Sequence, residues 1–565
     1  MPLHSRQSRA TVVHPVRIRH HRGRAVRASV SIMAACLSLA LVHIAEAAPK
    51  YLRLSYVGDT TTAMSITWNT DADAPTEVRY GTASGALGST ASGTSFQANA
   101  GLGWVHEVTL SGLQPNTKYY YVAGSATDGY FAESSFTTGP VQQETCGKFR
   151  FVFLGDNRPD PTFGGGENWP QILGQAALHQ PAFVLNGGDL VIDGDRIDQW
   201  HDFLGWTTTV AATVPFMPSM GNHDNGPGEG DGANYNQLFA LPRSTGVHGS
   251  GTEDYYYFTY GNAIFAALST EGFKGGSIAF GDQASWLDEV LTNNPRKWKF
   301  VFYHKPTYSH EALFSISHAP NEEGQNAAFV AVIDKHHVDA VFTSHNHWYE
   351  RFHPTACATQ GNAGSAEACP VGADNFAAGT VYYVSGGAGA FTIPGMLCGS
   401  EPGRAKCAGN HHYIVVDIQD NIAKLDTWSA YPQANEIIDS ITITKSPETC
   451  TEPPDAGPPD AAPDSAPPPD AAPLDGGSPP DSAAAPDSST PAPDAAAGSD
   501  AAGVDGAAPG PDASEPQAPS ASPAASSNGG CGCSVPNAQP PAAAWLALLG
   551  LSVAWSRRRG RRSAS

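Results

Sequence analysis

Five apolar runs in the middle of the chain each end in residue types that bind hard or borderline metal ions. Phe151-Val152-Phe153-Leu154 leads to Gly155-Asp156-Asn157-Arg158, and Phe183-Val184-Leu185 leads to Asn186-Gly187-Gly188-Asp189. Val214-Pro215-Phe216-Met217 precedes Gly221-Asn222-His223-Asp224, Phe300-Val301-Phe302-Tyr303 precedes His304, and Val341-Phe342-Thr343 precedes Ser344-His345-Asn346-His347. Ligands of α/β sheets gather at the carboxyl ends of strands, where the strand fixes the side chain just beyond it. Glycines there let the backbone turn and approach a phosphate closely. Asp, Asn and His supply O and N donors without a thiolate, a set suited to Zn, Mn, Fe or Mg rather than Cu(I). Two such ions a few Å apart, sharing one carboxylate, can clamp the attacking and leaving oxygens of a phosphoryl group. Each motif alone is weak, because an Asp after a strand is more often a turn or a helix cap. Five in sequence are a pattern.

The elements around these residues fall into two kinds. Residues 50–138 read as short strands, Tyr51 to Leu54, Ala63 to Trp68, Glu77 to Tyr80, His106 to Leu110 and Lys118 to Val122, separated by Gly, Asn and Asp. Strands at that spacing predict a β-sandwich. From residue 147 apolar strands alternate with helical stretches at 168–179, 196–206, 281–292 and 323–336, which predicts an α/β layered domain. Its strands are continuous apolar runs, as expected where both faces are covered. Gly386-Gly387-Ala388-Gly389 follows one more such run, Val381 to Val384, and is expected to close the rim of the site.

The order of the five blocks resembles the calcineurin-like metallophosphoesterases, and within them the purple acid phosphatases. Trp348-Tyr349-Glu350-Arg351 is similar to that family's tail after its last histidine. Leu110-Ser111-Gly112-Leu113-Gln114-Pro115-Asn116-Thr117, followed by tyrosines, resembles a fibronectin type III-like module, which precedes the catalytic domain in plant-type members. The resemblance spans about residues 50–440. It implies a β-sandwich followed by a four-layer α/β/β/α domain, with boundaries expected at 48–140 and 147–450. It implies two divalent or trivalent metal ions (Fe, Zn or Mn), Asp189 bridging both, Asp156 and His347 on the first, and Asn222, His304 and His345 on the second. A bridging hydroxide would attack phosphorus. His223 would reach the substrate or leaving group, oriented by Asp224, and His310 is a further candidate for substrate contact.

Three positions depart from the family pattern. Ile192 stands where purple acid phosphatases carry a Tyr ligand, three residues after the bridging Asp. Arg158 stands where other metallophosphoesterases carry a His two residues after the first Asp. Arginine stays protonated and is no ligand, but its planar fork can grip a phosphate bidentately; a salt bridge to a neighbouring carboxylate is the alternative role. Ser344 replaces a Gly. The reading is thus hydrolysis of phosphate monoesters. A phosphodiesterase using the same site, and a surface binding protein with a degenerate phosphoesterase domain, are the alternatives.

Charge and composition bound the partners. The chain of 565 residues carries a formal net charge of −22. That charge sits mostly on the central body and on residues 451–530, which hold eleven Asp, two Glu and no Lys or Arg. So acidic a body repels polyanions, which argues against nucleic acid and leaves a small phosphorylated substrate whose charge a cationic cleft can meet. Residues 1–47 read as a signal peptide: seven Arg, an apolar run from Ile32 to Ile44, then Ala45-Glu46-Ala47. Residues 451–530, rich in Pro, Ala and Asp, read as a disordered linker. Residues 531–565 join Cys531-Gly532-Cys533, an apolar run and an Arg cluster, an order that resembles myxobacterial C-terminal sorting signals and implies contact with membrane or sorting machinery. The expected location is therefore secreted or attached to the cell surface. Six of the nine Cys lie in the body, and an even number in an exported chain predicts disulfides. Fifteen pairings are possible; the local pairs Cys357–Cys369 and Cys398–Cys407, leaving Cys146–Cys450, are the expectation.

Overall fold

Two antiparallel sheets open the chain, and their strands follow from short alternating or β-branched segments. One sheet has the order Lys50–Ser55, Met64–Thr70, Trp104–Leu110, Thr94–Gln97. The other has the order Ser89–Ser92, Glu77–Gly81, Lys118–Ser125, Gly129–Tyr130, and Ser134–Thr137 also pairs with Lys118–Ser125. Met64–Thr70 is buried at every position because both of its faces are covered. Trp68 and His106 face each other across the ladder and stack with centroids 5.2 Å apart. This is the expected β-sandwich. The strands Ser89–Ser92, Thr94–Gln97, Gly129–Tyr130 and Ser134–Thr137 carry too little apolar pattern to be foreseen, and are held by pairing with stronger neighbours.

These coordinates come from a computed structural model, which describes residues 48–158, 168–271, 279–311, 317–393, 395, 398–447 and 450. The expected signal peptide (1–47), linker (451–530) and sorting segment (531–565) lie outside the described residues. Among the described residues no helix is long and apolar enough to cross a membrane.

The sandwich is buttressed by the domain that follows. Arg53 is buried and donates to the Leu238 carbonyl at 2.7 Å, and Tyr121 donates to the Ala212 carbonyl at 2.8 Å. That domain is built on two further sheets. The six-stranded one runs Phe216–Pro218, Phe183–Asn186, Lys148–Leu154, His412–Gln419, Ile422–Ser429, Ile437–Thr444. The seven-stranded one runs Tyr256–Tyr260, Ala263–Ala267, Trp298–Phe302, Ala340–Thr343, Val381–Ser385, Tyr349–Phe352, Arg404–Ala408.

Period-two alternation explains the layers. Along Trp298–Phe302, the side chains of Trp298, Phe300 and Phe302 enter the core between the sheets, while Val301 joins the core under the helices. Between the sheets Phe151 meets Phe265 edge-on at 5.0 Å and Phe153 stacks on Phe342 at 4.9 Å. Each such Phe, fully buried, stabilises the fold by about 2 kcal/mol. The helices Asn168–Ala177 and Ile197–Ala211 pack Trp169, Ile172 and Phe203 into the first core. The helices Phe280–Asn293 and Asn326–His336 pack Leu287, Phe329 and Ile333 into the second. The result is an α/β architecture with two sheets between helical layers. Disulfides join Cys146 to Cys450, Cys357 to Cys369 and Cys398 to Cys407.

Lys148–Leu154, Phe183–Asn186 and Phe216–Pro218 run parallel, as do Ala263–Ala267, Trp298–Phe302, Ala340–Thr343 and Val381–Ser385. Parallel strands bring their carboxyl ends to one edge. All five sequence blocks begin at such ends.

Candidate metal centre

The loops leaving these strands turn through unusual backbone. Asp156, Asp189 and His345 all have left-handed φ, at 55°, 57° and 67°. Non-glycine residues held in that region cluster at functional sites, where the surrounding structure over-determines them. Gly188, at φ 93°, lets three loops meet: a Cβ there would lie 2.7 Å from the Gly221 nitrogen and 2.9 Å from His304 Nδ1. Ser344, in place of the family's Gly, fits because Gly155 and Gly187 lack side chains; a Cβ on either would meet its Oγ at 2.0 to 2.1 Å. The Gly386–Gly389 run is laced onto the first block, Ala388 N–H donating to Gly155 O at 3.0 Å and Ala390 N–H to Asp156 O at 2.8 Å.

Two clusters of donor atoms share Asp189. In the first, Asp156, Asp189 and His347 place one ligand atom each within 4.8 Å of the others. In the second, Asp189, His304 and His345 do the same. His304 Nε2 lies 3.1 Å from Asp189 Oδ1, 3.0 Å from Asn222 Oδ1 and 3.1 Å from His345 Nδ1. The tautomers follow from the outward nitrogens. His304 Nδ1 faces the Gly187 carbonyl at 2.8 Å and His345 Nε2 faces Glu322 Oε2 at 3.2 Å, so each of those carries the proton. The inward nitrogens are then lone pairs. Asp189 Oδ1, Asn222 Oδ1 and His345 Nδ1 thus gather as acceptors around His304 Nε2, an arrangement that needs either a second proton on that imidazole or a cation among them. The donors fit a divalent ion: two imidazoles, a carboxylate and an amide oxygen, with the outer nitrogens anchored as metal-binding His usually are. Burial pushes the His304 imidazole down, but Asp189 outweighs it and brings it up to about 10 without an ion.

The first cluster is different. Asp156 Oδ2 accepts the His345 N–H at 2.7 Å, while its buried Oδ1 has no donor. His347 Nδ1 faces the Phe391 carbonyl at 2.8 Å, leaving Nε2 as its lone pair. That atom and Asp189 Oδ2 each lie 3.3 Å from the Arg158 guanidinium.

Of the expected site residues, Asp156, Asp189, Asn222, His304, His345 and His347 converge on these clusters, with Arg158 beside them. His223 sits at the edge, about a third exposed, its Nε2 3.9 Å from Asp189 Oδ2. Two residues are placed differently. Asp224 does not orient the His223 ring. Its buried carboxylate accepts the backbone N–H groups of Asp189, Leu190, Val191 and Gly221 at 2.7 to 3.1 Å, and the His223 ring is held instead by Ile192 O at 2.5 Å. His310 enters neither cluster; its Nδ1 meets Glu401 at 3.1 Å and its ring stacks on Trp348.

The structure also adds residues that the motifs do not reveal. His318 lies against His345 with ring centroids 3.8 Å apart and planes tilted by 35°, and its backbone N–H donates to Asn346 Oδ1 at 2.6 Å. Asn346 is tied to Ser309, and Ser309 to the buried Glu350, so the Trp348-to-Arg351 tail acts as a polar support under the site.

Comparisons with known proteins agree with this geometry. Residues 49–138 match the family described as "Purple acid Phosphatase, N-terminal domain", and residues 149–349 match "Calcineurin-like phosphoesterase". "Probable purple acid phosphatase 20" of Arabidopsis thaliana is 30% identical over 323 residues, covering 54% of this chain and 69% of that protein. "Purple acid phosphatase 21" of the same plant is 29% identical over 329 residues, covering 55% and 66%. The chain thus spans about two thirds of the length of these relatives. The structure of purple acid phosphatase PPD1 from yellow lupin seeds shares the fold, with a TM-score of 0.56 at 20% identity, covering 70% of this chain and 74% of that one.

Proposed function

The chain belongs to the purple acid phosphatase family of metallophosphoesterases, and from that premise we propose that it hydrolyses phosphate monoesters at the Asp189-centred clusters. The observation that supports this reading is the gathering of Asp189, Asn222 and His345 around His304 Nε2. Asp189 would be shared, Asn222, His304 and His345 would hold an ion in the second cluster, and Asp156 and His347 are the first cluster's other donors. Bound ions lower the pKa of water enough to supply hydroxide near neutral pH and offset charge building on the phosphoryl oxygens. The rest falls to the chain's own side chains. His223 donates its Nδ1 proton to Ile192 O, which leaves Nε2, 3.9 Å from Asp189 Oδ2, as the nitrogen able to carry a proton for the leaving group. Giving that proton to the leaving alkoxide returns the ring to the tautomer Ile192 already favours, which suits general-acid catalysis. His318, half exposed above His345, borders the same cleft.

Fe, Zn and Mn all suit this donor set. Ile192 in place of the family's Tyr removes the phenolate that favours ferric iron. The three disulfides support an exported protein, since such bonds persist in oxidising compartments; the signal-like and sorting-like ends carry the same proposal. The domain division proposed is 48–140 for the sandwich and 147–450 for the catalytic part.

The test is hydrolysis of a chromogenic phosphomonoester by the purified chain, stripped of metal and reloaded with Mn, Zn or Fe, beside Asn222→Ala. Turnover restored by a metal and lost in the variant is expected. Reaction of a chromogenic diester alone would make it a phosphodiesterase, and inertness to both would sink the hydrolase reading.

A further inference from the structure

Three acceptor atoms face one another in the first cluster: Asp156 Oδ1, Asp189 Oδ2 and His347 Nε2. Catalytic metal sites usually take at least three protein ligands, so an ion there needs all three. Arg158 already engages two. Its Nη2 lies 3.3 Å from His347 Nε2, the only lone pair that ring has to offer once Nδ1 serves Phe391. Its Nε lies 3.3 Å from Asp189 Oδ2, and the other oxygen of that carboxylate is turned to His304. Asp156 Oδ1 has no donor, and the contact of Arg158 Nε with Asp189 Oδ2 is an ion pair rather than a hydrogen bond.

The guanidinium is also fixed in place. The Arg158 backbone N–H donates to the Asp189 carbonyl at 3.1 Å, and its side chain is only 14% exposed. Arginine cannot shed its proton to make room for a cation, and like charges at that range in a buried site repel strongly.

Resting on the metal-centre reading above, we infer that Arg158 stands where the first ion would. The folded protein then takes up one ion, in the second cluster, and the guanidinium supplies the second positive charge facing a substrate phosphate. Its remaining N–H donors match phosphate oxygens in a way a point charge does not.

The test counts metal rather than turnover. The full chain is stripped with chelator, loaded with excess Mn²⁺ and freed of unbound ion. It is then assayed for Mn per chain by mass spectrometry and for spin coupling by electron paramagnetic resonance. One ion per chain with an uncoupled six-line spectrum is expected. Arg158→His, which restores the histidine other metallophosphoesterases carry there, is expected to hold two ions with a spin-coupled spectrum. Arg158→Ala frees His347 and Asp189 without adding a ligand, and is expected to show a second, weaker uptake on titration. Circular dichroism checks each variant; if Arg158→His does not fold, the Arg158→Ala titration decides. Two coupled ions in the unaltered chain overturn the inference and leave the hydrolase reading standing. A single ion in both variants overturns it as well. No ion in the unaltered chain overturns the metal centre itself.

Discussion

Glu322 Oε2 lies 3.2 Å from His345 Nε2, and this contact decides which nitrogen of His345 faces the second cluster. With the proton on Nε2, the lone pair sits on Nδ1, 3.1 Å from His304 Nε2. Among the described residues Glu322 also pairs with His318 at 3.7 Å and Lys305 at 4.0 Å, and His345 is its link to the second cluster. Removing such an outer partner typically weakens metal affinity by about 10- to 100-fold. Glu322→Ala should show that loss in a chelator competition, with an unchanged circular dichroism spectrum. Glu322→Gln, which still accepts from Nε2, should recover most of the affinity. Equal affinity in all three proteins would show that the contact does not orient the ring.

Asp224 should matter for stability before it matters for catalysis. Its carboxylate serves four buried backbone N–H groups, three of them in the loop that carries Asp189. Stranding buried donors costs ~1–3 kcal/mol per group. Asp224→Ala should therefore lose about 3 kcal/mol or more in urea unfolding of the metal-free protein. A side chain that merely steered His223 would leave the metal-free unfolding midpoint where it was.

How much was legible follows physical lines. Phe151–Leu154, Phe183–Leu185 and Phe300–Phe302 announce themselves because both faces of each strand are buried, and their carboxyl ends place the site. The antiparallel strands His412–Gln419, Ile422–Ser429 and Ile437–Thr444 carry no site residue and only partial alternation, so their place beside Lys148–Leu154 depends on long-range pairing. Asp224 shows the limit of spacing. The family resemblance implied that Asp224 orients His223, but the turn aims the carboxylate back at the Asp189 loop. His318 and Glu322 come from an irregular segment with no period, and only the packing of that segment over His345 reveals them. Arg158 was legible as a departure, with a salt bridge to a nearby carboxylate as one of its two expected roles, while Asp189 as that carboxylate and the contact with His347 were not.

Ile192 gives an optical prediction. By the family resemblance it stands where a Tyr ligand is expected, and its N–H is held by Gln199 at 2.8 Å and its carbonyl by His223. An iron-loaded sample should lack the visible tyrosinate-to-iron band behind the purple colour. Absorbance spectroscopy on the iron-loaded chain checks this directly. A strong visible band in the unaltered protein would mean that another phenol reaches the metal.

Glu253 gives a pH dependence away from the metal centre. It is buried, its Oε1 is 3.0 Å from Arg243 Nε, and its Oε2 has no hydrogen-bond partner. Burial, only partly offset by Arg243, pushes its carboxyl from 4.5 up to about 7. Between those values the folded chain keeps a proton that the unfolded chain has lost. The folded state binds more protons, so this group's contribution to stability is full below pH 4.5 and falls as pH rises toward 7. A pKa unit corresponds to ~1.4 kcal/mol. Allowing for screening around the half-exposed Arg243, the loss is on the order of 2 kcal/mol. Glu253→Gln removes the titration, and Arg243 keeps its pair with Asp231 at 2.6 Å. Thermal unfolding from pH 4.5 to 7 should show a variant whose melting temperature gains on the unaltered protein as pH rises. Parallel curves for the two proteins would mean that Glu253 titrates at its ordinary value in the folded chain.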